Sequence, residues 1–275
     1  MPRLEVADVK HLLAISIAVL LGVSLGVPAL AVAQGPPDCL GPSSTSGRQD
    51  GQSPGLIIAI DNAPCFVPAV QIGKEFIIGA PEDPGRPFDF VLPGVGRVQI
   101  SGALNPEPSI AYGVAVIDFG APSSFAFLFS TPIVPVVAPS VVTASLVGGL
   151  TDFTGDGLAI TPTAAFMQVS EVGLPLTNMG VDVGAAFAAG PGAPGAFYAY
   201  GPFAAGPQGG PGPGPWTSLQ VTLAFGLSGG GDVASLTGFA SINNAPVPEP
   251  GALLLLGSAL AGLGAVAAWR SRRLQ

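Results

Sequence analysis

Apolar residues in most of this chain recur at every second position, in short runs bounded by Gly, Pro, Asn or Asp. That is the period of a strand with one buried face, because successive side chains of an extended backbone point to opposite sides. Phe125, Phe127 and Phe129 share one such face, and Leu219, Val221, Leu223 and Phe225 share another. Alternation of this kind builds a core rather than a ligand site. It predicts strands over 56–60, 66–72, 95–101, 111–118, 124–129 and 136–147, then over 164–172, 181–187, 197–200, 217–227 and 234–242. No helical spacing persists there, apart from a short turn near Ala185 to Ala189. The expected fold is all-β: an antiparallel β-sandwich, jelly-roll-like or similar, over residues 56–242, long enough for one sizeable core.

Proline and glycine limit those strands. Pro132, Pro135 and Pro139 break up the region after Phe129, which reads as an edge or a bent connection. Residues 190–215 are rich in Gly and Pro without a steady Gly at every third place, so collagen is excluded and a long surface loop is expected. Phe197, Tyr198, Tyr200 and Phe203 would pin part of it. Residues 243–246 read as a linker.

At both ends of the chain the alternation gives way to continuous apolar residues. Near the start, residues 12–30 follow Arg3, Lys10 and His11, with Glu5 and Asp8 diluting the positive charge. Pro28 interrupts the run, and Ala31-Val32-Ala33 supplies the small-x-small pattern of a cleavage site. Residues 1–33 thus read as a secretory signal peptide cut after Ala33, with the Sec export machinery as partner. The core is long for a signal, which keeps an uncleaved N-terminal anchor open as the alternative. Residues 34–55 form a loop-rich segment before the sandwich.

Near the end, Pro248-Glu249-Pro250 precedes an uncharged run, residues 251–269, followed by Arg270, Arg272 and Arg273. At helical rise the run spans roughly 28 Å, close to the hydrocarbon thickness of a bilayer. Trp269 suits a membrane interface, and the arginines suit the cytoplasmic side and stop translocation. The two prolines hold the chain extended just before the span. This order of features over residues 247–275 resembles the PEP-CTERM sorting signal of Gram-negative bacteria. The resemblance implies recognition by an exosortase, a membrane cysteine protease/transpeptidase. It further implies transient residence in the inner membrane and delivery to the cell surface or an exopolysaccharide matrix. An ordinary single-span anchor behind a Pro-rich linker is the plainer alternative.

Charge and cysteine usage fit export. Residues 34–250 hold four basic and fifteen acidic residues, a net charge of −11, which excludes nucleic acid as a partner. The acids are scattered in sequence and read as a solvated surface. Cys39 and Cys65 are the only cysteines. In an exported chain two cysteines read as one disulfide, worth about 3.5 kcal/mol on the loop-entropy account.

Catalytic chemistry is largely missing. The only histidine, His11, lies in the signal, so a Ser-His-Asp triad, a Cys-His pair and a histidine metal site are all absent from the mature chain. No catalytic residue and no cofactor is expected. Paired carboxylates for glycoside hydrolysis remain open in principle. Asp152 and Asp156, in Asp152-Phe153-Thr154-Gly155-Asp156-Gly157, are weak calcium candidates; the stretch departs from an EF-hand loop, and an Asp-Gly turn is the better reading. Asp118-Phe119-Gly120 matches a kinase triplet by chance, and Gly229-Gly230-Gly231-Asp232 reads as a turn between strands.

The sequence therefore describes an exported, non-enzymatic surface or matrix protein linked to exopolysaccharide. The alternative is a carbohydrate-binding sandwich, assisted by calcium, which a grouped exposed aromatic platform including Trp216 would favour. Cleavage after Ala33 is directly testable. N-terminal sequencing of the mature protein should begin at Gln34, and retention of Met1 or Pro2 contradicts it.

Overall fold

In the computed structural model, the described residues are 54–61, 63–136, 139–173, 176–210, 216–245 and 255–263. The described strands form two antiparallel sheets of eight. The first holds β1 (Gly55–Ile60), β2 (Ala63–Pro68), β8 (Ser123–Val136), β10 (Leu158–Pro162), β11 (Gln168–Val172), β12 (Thr177–Asn178), β13 (Phe187–Ala189) and β15 (Trp216–Leu227). The second holds β3 (Val70–Ile72), β4 (Glu75–Ile78), β5 (Phe88–Leu92), β6 (Gly96–Asn105), β7 (Ser109–Asp118), β9 (Ser140–Asp152), β14 (Ala196–Gly209) and β16 (Asp232–Asn244). Central order is β11-β15-β8-β1 in the first sheet and β9-β16-β7-β6 in the second.

The alternating residues meet between the sheets. Phe125, Phe127 and Phe129 of β8 and Leu219, Val221, Leu223 and Phe225 of β15 are fully buried on one side. Ile110, Val114 and Val116 of β7 and Leu146 and Leu150 of β9 face them in the same core. Burying each such side chain contributes about 1.5–3 kcal/mol. One polar chain crosses this slab. The Tyr112 hydroxyl on β7 donates to Gln168 Oε1 on β11 at 2.7 Å, and Gln168 Nε2 donates to the Phe239 carbonyl on β16 at 3.0 Å. Burial pushes the Tyr112 hydroxyl well above its ordinary pKa, so it remains a donor. Its ring stacks on Phe129 of the opposite sheet, centroids 4.5 Å apart. Beside it, Gly238 is the register partner of Tyr112, and a Cβ there would lie 2.2 Å from the ring.

The structure departs from several sequence expectations. The expected strand over 66–72 is two strands in different sheets, β2 and β3, parted at Ala69 beyond Pro68. The proline stretch after Phe129 does not end β8, which runs on to Val136. Its pairing with β1 stops at Ser130, so Pro132 and Pro135 fall where β15 is the strand alongside, an edge as expected, and the Val134 N–H between them donates to the Pro106 carbonyl at 2.9 Å. The glycine–proline stretch after residue 190 is not a simple loop either: β14 pairs with β9 along the sheet edge. Register slips between Tyr200 and Phe203 and again between Ala205 and Gln208, where Gly201-Pro202 and Gly206-Pro207 bulge out and both glycines take positive φ. No helix forms at 185–189, which contains β13 instead. The expected strand over 181–187 reduces to a bridge at Val183 and the start of β13.

Residues 255–263 are helical. Among the described residues no helix is long and apolar enough to cross a membrane.

Denaturant unfolding checks the cross-sheet link. Tyr112→Phe leaves buried Gln168 Oε1 without its donor and should cost about 1–3 kcal/mol. Gly238→Ala, which drives a methyl into the Tyr112 ring, should cost about 1–3 kcal/mol or more. Wild-type stability in Gly238→Ala removes the packing argument.

Candidate functional site

Where the central strands of the second sheet end, apolar inward positions give way to carboxylates. Asp232 opens β16 and pairs in register with Asp118, the last residue of β7. On the other flank, the Val233–Thr151 pair places Asp152, the last residue of β9, beside Asp232. The three form a row across adjacent strands, and all three residues are fully buried. For these three that corrects the expectation of a solvated surface; most other described acids, Glu75, Asp83 and Glu107 among them, are exposed as expected. At a strand end the inward position faces the loop that follows, whose turning N–H groups have lost their ladder partners, and a short carboxylate can accept from them.

Asp118 and Asp152 are satisfied in this way. Asp118 accepts from the Ser123 N–H at 3.0 Å and from the Ser123 hydroxyl at 3.2 Å. Burial pushes the Asp118 carboxyl above the usual range while these bonds pull it back. Asp152 accepts from Gly155 N–H at 2.6 Å and Gly157 N–H at 3.0 Å. Both glycines have positive φ, which lets the loop turn its N–H groups inward.

Asp232 is not fully satisfied. Its Oδ2 accepts from the Ser228 hydroxyl, which itself accepts from the Ala159 N–H at 2.8 Å. Its Oδ1 is buried with no hydrogen-bond partner. Burial pushes the Asp232 carboxyl up, the Ser228 bond holds it down, and the charges of Asp152 and Asp156 push it up again. The Phe153 N–H, the smallest influence, lowers it without completing a bond to Oδ1.

Asp156 completes the group. Its side chain is exposed in the loop between β9 and β10, where Oδ1 accepts from the Thr154 hydroxyl. Gly230, at φ +71°, rests its backbone against this carboxylate; a Cβ there would lie 3.3 Å from Oδ2. One carboxylate oxygen from each of Asp152, Asp156 and Asp232 lies within 4.8 Å of the others. Sequence reasoning had singled out Asp152 and Asp156 and missed Asp232, whose triple-glycine stretch is indeed the β15–β16 turn. The strand register that brings Asp232 beside Asp152 links residues far apart in the chain, and nothing local in the sequence signals it.

A second feature lies at the opposite end of the same strands. An open cleft of about 810 Å³ is lined by Asn105, Glu107, Val134, Phe239, Asn243 and Asn244, among others. Phe239 is 38% exposed, whereas Trp216 is only 6% exposed and offers no platform.

Cys65 sits half-buried on β2 and is disulfide-bonded. Cys39 lies outside the described residues, as do Ala31, Ala33, Pro248, Glu249, Pro250, Arg270, Arg272 and Arg273. Compared with protein-family models, with curated protein sequences and with solved structures, the chain matches none.

Proposed function

We propose that the chain is an exported, non-enzymatic protein of the cell surface or extracellular matrix, linked to exopolysaccharide and sorted through its C-terminal tail. In this reading residues 1–33 are removed on export, and a jelly-roll-like sandwich stands outside the inner membrane. Residues 251–269 hold it there until an exosortase-type protease/transpeptidase acts at Pro248-Glu249-Pro250. One observation carries the reading. Leu255, Leu256, Leu260 and Leu263 of the helical residues are 59–71% exposed, so this apolar helix finds no cover on the sandwich. Leucines so arranged lose little in lipid and a good deal in water.

In this reading the prolines beside Glu249 would keep the motif out of a helix and so in the form in which a protease can pair with backbone groups. Glu249 offers a charge for selection by a charge-assisted hydrogen bond. Glu249→Ala should therefore leave membrane insertion intact and block conversion to the mature form. Mass spectrometry of protein from the envelope and the medium reads the outcome. Normal processing of Glu249→Ala, or wild-type protein that keeps Arg273 at its destination, reduces the tail to an anchor.

A carbohydrate-binding role is the second reading, favoured by the cleft. Side-chain amides of Asn105, Asn243 and Asn244 can donate and accept toward sugar hydroxyls, and Phe239 offers a ring for stacking. Calorimetric titration with neutral hexose oligosaccharides should show binding that Phe239→Ala weakens by roughly tenfold. Binding that survives Phe239→Ala unchanged places the sugar elsewhere, and no binding removes the role.

A further inference from the structure

We propose that Asp152, Asp156 and Asp232 form a calcium site that ties the β9–β10 crossover to the β15–β16 turn. Two ligand oxygens on one calcium ion, each about 2.4 Å from it, can be at most about 4.8 Å apart. The three carboxylates meet that limit as they stand. The carboxylate that reaches the cluster from the core carries the orphan. Oδ1 of Asp232 is buried, its residue is fully inaccessible, and no hydrogen bond satisfies it. A buried oxygen left so is costly unless something pairs with it.

No protein cation among the described residues fills that role. Among the described residues the ion pairs are Lys74–Glu107 and Arg97–Asp89, and neither involves the cluster. The trio thus concentrates negative charge with no positive group to offset it. The hydrogen bonds that Asp152 and Asp156 make do not compete, because each carboxylate oxygen has a second lone pair.

Donor chemistry selects the ion. All the carboxylates are hard oxygen ligands, and the Thr154 and Ser228 hydroxyls lie alongside as neutral ones. The described residues contain no histidine, and their single cysteine is disulfide-bonded, so soft and borderline metals have no nitrogen or thiolate ligand. Magnesium demands near-ideal octahedral geometry and gives up its water reluctantly. A loop-borne set of this kind suits the looser calcium shell better. Asp156 is exposed, which provides an entry path from solvent.

Position gives the site its effect. Residues 153–157 cross from β9 in the second sheet to β10 in the first, and Asp232 begins the central strand β16. A bound ion would join the two sheets at one end of the slab. With few ligands and open access, affinity should fall in the weak range of extracellular modules, about 10⁻⁴–10⁻³ M. The proposal does not depend on how the tail is processed.

The test uses the full-length chain in detergent, stripped with a chelator and then titrated with calcium or magnesium. Calorimetry measures binding, and circular dichroism measures the thermal midpoint. Calcium at ten times its dissociation constant should raise the midpoint by about 3–5 °C, with magnesium much weaker. Asp156→Asn should weaken calcium binding by at least about tenfold and cut the shift at the same calcium concentration to about a third or less. Its side chain is exposed, so the variant should fold normally without calcium. Asp232→Asn should do the same to calcium binding. Folded wild type with neither heat nor shift at about 5 mM calcium overturns the site. So does wild-type affinity in Asp156→Asn, or an equal response to magnesium.

Discussion

The slab of apolar side chains between the two sheets is the interaction on which the other features rest. Neither sheet can leave its inner row of Phe, Leu, Ile and Val in water, and each provides the cover for the other. Close packing then restricts what stands between them. Tyr112 fits because Gly238 has no side chain to meet it, and its hydroxyl is tolerated because Gln168 reaches across from the other sheet. The resulting chain to the Phe239 carbonyl is polar but complete, so it links the sheets instead of weakening them.

The slab has to end, and its two ends are built differently. At one, buried Asp118 and Asp152 close β7 and β9 by accepting from loop N–H groups, and Asp232 opens β16 with one oxygen on the Ser228 hydroxyl. The cost is a concentration of negative charge, with one oxygen of Asp232 unsatisfied. At the other, the strands finish in asparagines, a glutamate and one half-open phenylalanine around a cleft. Since β16 runs the whole length between them, the same strand presents Asp232 at one end and Phe239, Asn243 and Asn244 toward the other.

The chain carries few charges for its length, and those in the sandwich that pair do so on its surface, as Arg97 does with Asp89. Arg97 holds the Asp89 carboxyl below its usual range, but the pair is exposed and adds little to stability. Cohesion therefore comes from burial and from backbone pairing. The sandwich leaves some apolar groups bare, Phe153 and Phe197 on its own surface and the leucines of residues 255–263 among them.

Alternation alone determined the class of fold and much of the core. Phe125 to Phe129 and Leu219 to Phe225 were legible because side-chain direction in a strand follows a strict period of two. Local chemistry also marked the turn at Gly229 to Gly231 and the loop at Asp152 to Gly157. Tertiary structure decided the rest. Whether Pro132, Pro202 and Pro207 interrupt a strand depends on whether a neighbour needs their missing N–H, and edge position answers that only after the sheet is assembled. Whether Trp216 is a platform or a core residue likewise depends on what packs over it. The pairing of Asp232 with Asp118 on one side and Asp152 on the other arises from register between strands distant in sequence, and register is fixed by which faces must be buried together.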